Sequence, residues 1–149
     1  MQKHTQNTTP VCYCLKIRRT AAVITNFYDK TLRSCGITAR QYSLLFHISK
    51  KEHCSIRELA DAVSLDRSTL ARSLRPLYQY SFIVDIKESG ARNSCLELTP
   101  SGRETLKQAN QLWKRAQESV QQTLGADGID GLDRTLSLLE TLQPIKSPT

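Results

Sequence analysis

The sequence predicts a mainly α-helical protein: about six helices, with one two-stranded β-hairpin set among them. Three observations carry this prediction. Apolar residues recur at alternating spacings of three and four through most of the chain, the period drops to two between Phe82 and Leu98, and capping residues stand where the periodic stretches begin.

The first helix is expected to start with Thr9 as its N-cap and Pro10 at its first position, and to stop at Gly36. Cys14, Ile17, Ala21, Ile24 and Tyr28 form a seam along it. "TARQYSLLFHISK" predicts a second helix, opened by a capping box of Thr38 and Gln41 and bearing Tyr42, Leu44, Leu45 and Ile48. "SIRELADAV" predicts a third, with Ser55 and Glu58 as its capping box and Leu59, Ala60 and Val63 facing inward.

After a short "SLD" break comes "RSTLARSLRPL", a fourth helix running to about Tyr80. At about 100° per residue, Leu70, Leu74 and Leu77 share one arc; Ser68, Arg72 and Arg75 lie opposite, with Thr69 and Ser73 beside them. Pro76 is expected to remove an internal hydrogen bond and bend this helix. The alternation of Phe82, Val84 and Ile86 with Ile83, Asp85 and Lys87, and of Leu96 and Leu98 with Cys95 and Glu97, predicts a hairpin with a polar tip bearing an arginine. Thr99 and Pro100 then open a fifth helix, with Leu106, Ala109, Trp113, Ala116 and Val120 as its seam up to Gly125. A sixth is expected from about Asp127 to Pro144, with Ile129, Leu132, Leu136, Leu139 and Leu142 apolar.

Composition narrows the function. The chain has 149 residues and a net charge of +7, which favours an acidic partner such as nucleic acid or an anionic membrane. No apolar run approaches the roughly 20 residues of a membrane span, and "MQKHTQNTTP" lacks the apolar core of a secretory signal. The five cysteines, an odd number in a chain of this length, are expected to be reduced thiols of a cytoplasmic protein. They lack paired metal-binding spacings, so no metal and no cofactor is expected. There is no Gly-rich phosphate loop, and His4, His47 and His53 are scattered, so an enzyme is not expected.

A short helix, a tight turn and a second helix with a basic, hydroxyl-rich outer face make a helix-turn-helix, whose second helix fits the major groove of double-stranded DNA. The hairpin behind it is a wing. A fully solvated helix face usually mixes acids with bases, whereas this face has no acid after Asp66. The alternative, a winged-helix module that docks on protein without binding DNA, would call for aromatic or aliphatic anchors on that face. The apolar seams at both ends exceed what a winged unit needs, and so predict a homodimer. Two-fold pairing would set two reading helices about 34 Å apart on a palindromic operator.

Together "SIRELADAVSLDRSTLARSLRPL", "ARNSCLELTPSGRE", "TARQYSLL" and "CLKIRRTAAVITNFYDKTL" resemble the MarR family of transcription regulators, over about residues 11 to 143. The resemblance implies a homodimeric winged helix-turn-helix, expected to be a repressor. It divides the chain into a polar tail (1–9), a helical dimerisation region (10–36 and 100–143) and a DNA-binding domain (37–99). It places Ser68, Thr69 and Arg72 on the base-reading face with Ser73 beside them, and gives Arg92 the role of the wing arginine. The wider set assigned to DNA adds Ser55, Arg57, Asp66, Arg67, Arg75, Lys87 and Asn93. Two positions depart from the family: Gly90 stands where an Asp commonly steadies the wing, and Ser81 replaces a usual Gly, a change expected to be tolerated.

The resemblance also implies release from DNA by an effector. Cys14 resembles the reactive cysteine of the hydroperoxide-sensing branch, and Tyr42 matches one of two tyrosines that face it there; the other position is Ala39. Packing on the dimer seam is the ordinary role of such a cysteine and is the favoured account of Cys14. A small aromatic or anionic effector is the second expectation, with Arg18, Phe46, His47 and Trp113 as its candidate contacts.

Overall fold

The computed structural model describes residues 11–51, 53–87 and 93–144. In chain order it contains α1 (Tyr13–Leu32), a 3-10 turn (Arg33–Cys35), α2 (Ala39–Ser49), α3 (Ile56–Val63), α4 (Arg67–Gln79), β1 (Ile83–Asp85), β2 (Leu96–Leu98) and α5 (Pro100–Glu140).

Side chains close the open N-termini of the helices, as the sequence predicts. The hydroxyls of Thr38 and Ser55 accept from the backbone N–H groups of Gln41 and Glu58, and those two side chains return a bond to the cap N–H. Thr99 accepts from the N–H of Gly102. Gly36 stops the first helical run in the left-handed conformation, φ 70°.

One expectation is corrected, and the structure adds detail to others. The first helix begins at Tyr13, where the Cys12 sulfur accepts from the Leu15 N–H; Thr9, Pro10 and the predicted tail lie outside the described residues. The helical run after Thr99 divides at Gly125, as expected: Gly125 takes non-helical angles (φ 68°, ψ 173°), and the two helical segments on either side of it are labelled together as α5. The hairpin is short, three residues a side, and pairs antiparallel with Ile83 opposite Leu98 and Asp85 opposite Leu96. Its inward residues are Ile83, Leu96 and Leu98, while Val84 and Ile86 face out. The apolar alternation of Phe82, Val84 and Ile86 had marked the outer face, because this segment is apolar on both sides. The wing tip, with Gly90 and Arg92, lies outside the described residues.

The core gathers Leu44, Leu45 and Ile48 of α2, Leu59 of α3, Leu70, Leu74 and Leu77 of α4, Ile83, Leu96 and Leu98 of the hairpin, and Leu106 and Ala109 of α5. Pro76 sits inside α4, and the helix still ends at Gln79 with Tyr80 as its cap. The α1 seam is mostly open in the single chain: Ile17 and Ile24 are exposed and Tyr28 is buried.

The joint between α4 and α5 fixes the winged unit. Ser81 turns the chain with φ 55°, its carbonyl accepting from the Thr99 hydroxyl at 2.6 Å, while the carbonyl of Phe82 accepts from the Thr99 N–H at 3.0 Å. The first turn of α5 then presses so close that a Cβ on Gly102 would stand 2.0 Å from the Phe82 carbonyl oxygen. This explains the glycine of "LTPSGRE" by steric exclusion. Gly102→Ala should destabilise the fold by about 1–3 kcal/mol, because the obstacle is backbone and cannot rotate away. Chemical denaturation of the two proteins checks this; equal midpoints would show that the joint yields.

Candidate nucleic-acid interface

The candidate surface is built from the turn upward. Helix α3 ends at Ser64, which adopts φ 52°, and the Leu65 N–H bonds back to the Ala60 carbonyl at 3.1 Å. That tight exit sets α4 across α3. Burial of Leu70, Leu74 and Leu77 fixes the rotation of α4 about its axis. Arg67, Ser68, Arg72 and Arg75 are therefore exposed, with Thr69 and Ser73 half-buried at the edge.

The hydroxyls and the first acid of this face form one network. Asp66 is the N-cap of α4: Oδ1 accepts from the Thr69 N–H at 2.9 Å and from the Ser68 hydroxyl at 2.6 Å, and Oδ2 accepts from the Thr69 hydroxyl at 2.6 Å. These bonds, first those from the Ser68 and Thr69 hydroxyls, hold its carboxyl well below the ordinary carboxylate range. The Ser73 hydroxyl donates to the Thr69 carbonyl at 2.9 Å. Arg72 approaches Thr69 Oγ1 at 3.4 Å through Nη2.

Of the remaining residues assigned to DNA, Arg57 is exposed on α3, and Lys87 and Asn93 are exposed at the two sides of the wing. Ser55 is occupied within the protein, since its hydroxyl donates to Glu58 Oε2 at 2.9 Å. Arg92 lies outside the described residues.

The effector candidates fall into two groups. Tyr42, Phe46, His47 and Trp113 come together: Trp113 stacks on Tyr42 with centroids 4.2 Å apart, Tyr42 on Phe46 at 6.1 Å, and Phe46 meets His47 edge-on at 5.7 Å. The Tyr42 hydroxyl donates to Asn110 Oδ1 at 2.9 Å. Arg18 and Cys14 lie elsewhere, exposed on α1. Asn110 and Lys50 escaped the sequence reading, and Tyr28 was read only as part of the α1 seam. Tyr28 packs on the other side of Trp113 at 4.4 Å, and the Lys50 ammonium sits 4.9 Å over the Phe46 ring. The 3,4 spacing placed Tyr28 and Trp113 on apolar seams, yet their meeting spans α1 and α5 and carries no local signal.

A hollow of about 340 Å³ is lined by Thr25, Ala39, Arg40, Ser43, Leu44 and Val63 among others. Cys95, expected to point outward, is half-buried with Sγ 3.2 Å from His53 Nδ1. Among the described residues no group of three or more His, Cys, Asp or Glu is placed to hold a metal ion, and no helix is long and apolar enough to cross a membrane.

A short helix, a tight turn, an outward arginine-bearing helix and a hairpin behind it define a winged helix-turn-helix of the DNA-binding regulators. Comparison with known proteins agrees. The MarR family profile matches residues 37–87. The HTH-type transcriptional regulator BilQ of Clostridium symbiosum is 35% identical over 101 residues, covering 67% of this chain and 70% of BilQ. The transcriptional regulator MosR of M. tuberculosis in complex with DNA is 31% identical, covers 87% of this chain and 93% of that one, and superposes with a TM-score of 0.76. A mutant MarR of E. coli complexed with operator DNA, 22% identical over 85% of this chain and 91% of that one, shares the fold with a TM-score of 0.76. The chain belongs to the MarR family and is a DNA-binding transcription regulator.

The base of the interface also carries a titratable contact. Glu58 accepts from Ser55 through Oε2 and from the Lys51 ammonium through Oε1 at 2.9 Å. The Ser55 backbone N–H, then the Lys51 ammonium and the Ser55 hydroxyl, lower its pKa from 4.5 to about 2. A carboxyl lowered in the folded state stabilises it fully above its ordinary value and loses that contribution as pH falls toward the folded value. Stability should therefore decline between pH 4.5 and about 2. Glu58→Gln should melt lower at neutral pH and decline less through this window; parallel acid limbs in thermal melts would rule Glu58 out as the cause.

Proposed function

We propose that the chain is a homodimeric repressor that holds a palindromic operator with α4 and the wing, and leaves it when an effector binds or Cys14 is oxidised. The observation that carries the DNA reading is the exposed strip of Arg67, Arg72 and Arg75 opposite the buried leucines of α4. Homodimerisation is supported by apolar side chains exposed towards both ends of the chain: Ile17, Val23 and Ile24 on α1, Leu132 and Leu136 on α5, and Leu142 just beyond it. MosR and the E. coli MarR, solved with DNA, support operator binding by this fold.

Arg72 has the reach and charge for two bonds to guanine O6 and N7, a contact worth about 1–3 kcal/mol of discrimination. Lys87 supplies phosphate attraction, which is strong but indifferent to sequence. Arg72→Ala should reduce the preference for operator over random duplex by about tenfold or more. Lys87→Ala should weaken both equally and flatten the salt dependence. Titrations at several salt concentrations check this, with sedimentation confirming two chains per operator; an Arg72→Ala protein with unaltered preference would count against the reading.

Release by a small aromatic or anionic ligand is supported by the cluster of Tyr42, Phe46 and Trp113 and by a hollow lined in part by Arg40. Oxidation is supported by the exposure of Cys14. If oxidation is the signal, hydroperoxide should release the operator from the native protein and leave the Cys14→Ser complex intact. Release of neither leaves the ligand as the effector and Cys14 as packing, and release of both places the oxidation at another residue.

A further inference from the structure

The reading face of α4 is uneven in what it offers. A serine or threonine hydroxyl has one hydrogen to donate and two lone pairs to accept with. On this helix every such hydrogen is directed back into the protein: Ser68 and Thr69 donate to Asp66, each at 2.6 Å, and Ser73 donates to the Thr69 carbonyl at 2.9 Å. Contacts of 2.6 Å between a hydroxyl and a carboxylate are short, charge-assisted bonds, costly to give up. An ionised carboxylate can only accept, so the direction of these hydrogens follows from chemistry. The donors facing outward are the guanidinium groups of Arg67, Arg72 and Arg75.

We infer that Asp66 is a specificity-determining residue that turns Ser68 and Thr69 into acceptors, so that they select base edges bearing an amino group, cytosine N4 or adenine N6. This rests on the reading of α4 as the DNA-contacting helix and goes beyond it by naming the base class. In the major groove cytosine and adenine present amino donors, guanine offers N7 and O6 as acceptors, and thymine offers O4. A hydroxyl oxygen held as an acceptor faces guanine or thymine acceptor against acceptor. It also cannot donate to a phosphate, which leaves backbone anchoring to the arginines, the lysines and the backbone N–H groups. The face is thereby divided: arginines for guanine and phosphate, hydroxyls for adenine and cytosine. Ser68 is the freer acceptor, because Thr69 Oγ1 already faces Arg72 Nη2 at 3.4 Å.

Asp66→Asn separates this role from capping. Asparagine caps a helix as well as aspartate. Its amide oxygen can keep the position of Oδ1, where Ser68 and the Thr69 N–H converge, while its amide nitrogen replaces Oδ2. That nitrogen would donate to Thr69 Oγ1 and release the Thr69 hydrogen toward DNA.

The test is selection of bound duplexes from a randomised pool by the full chain and by Asp66→Asn, Ser68→Ala, Thr69→Val and Arg72→Ala. The native protein should select adenine or cytosine at positions whose preference collapses in Ser68→Ala and Thr69→Val, by about tenfold in relative affinity. Asp66→Asn should move the Thr69-dependent position toward guanine or thymine. Guanine or thymine at those positions in the native selection, or an Asp66→Asn selection identical to the native one, would overturn the inference. If Arg72→Ala alone changes the selected sequence, α4 reads DNA but its hydroxyls do not, and only this inference fails. If all four variants select as the native protein does, or no duplex is enriched, the reading of α4 itself fails.

Discussion

What α4 can present to a duplex is decided on its hidden side. Leu70, Leu74 and Leu77 are almost wholly removed from water, and they interlock with leucines and isoleucines from α2, α3, the hairpin and α5. A helix anchored at three points on one face cannot turn about its axis without exposing them. Fully burying one leucine is worth about 1.5–3 kcal/mol, so rotation by even one residue's arc would cost more than any single contact on the outer face could return. The arginines and hydroxyls face outward because the leucines face inward, and the network at Asp66 then orients their hydrogens.

The parts of this arrangement that the sequence disclosed are those whose cause is local. A capping box is a contact between residues three apart, so Thr38–Gln41 and Ser55–Glu58 could be read directly. The leucine phase of α4 follows from helical period alone. The hairpin was legible as a hairpin, but not in its facing: Ile83, Val84 and Ile86 are all apolar, and the choice between them is made by the core that Leu96 and Leu98 share. The break within α5 was legible too, because Gly125 reads as a stop and takes non-helical angles with φ 68° there. The aromatic stack was hidden for another reason. Tyr28, Tyr42 and Trp113 belong to three helices, and no pattern within one helix reveals which ring lies on which. The reading face was visible as a set of residues; the direction of its hydroxyl hydrogens required Asp66 to be seen accepting from both.

The core also shows how the labour is divided along the chain. Its buried leucines and isoleucines come from α2, α3, α4, the hairpin, the start of α5 and the end of α1. The interior of the winged unit is therefore closed with the help of the adjoining end of α1 and start of α5. The first half of α1 and the second half of α5 add little to it, and keep their apolar side chains exposed in the single chain. Those faces contribute to stability only where something covers them, so they govern placement of the winged unit more than its integrity.

Between these two regions stands Trp113, with Tyr28 of α1 on one side and Tyr42 of α2 on the other. The kind of contact matters. Interlocked leucines have a few discrete arrangements separated by strain, whereas stacked rings keep most of their contact when one slides over another by a fraction of its width. The hydroxyl of Tyr42 limits that sliding by its bond to Asn110 on α5. Helix α4 is thus locked to its own core by leucines, and that core meets the long helices through these rings, through Leu32 of α1 and Leu106 and Ala109 of α5, and through hydrogen bonds that include Ala39 N–H to Asp29 Oδ1 at 2.7 Å.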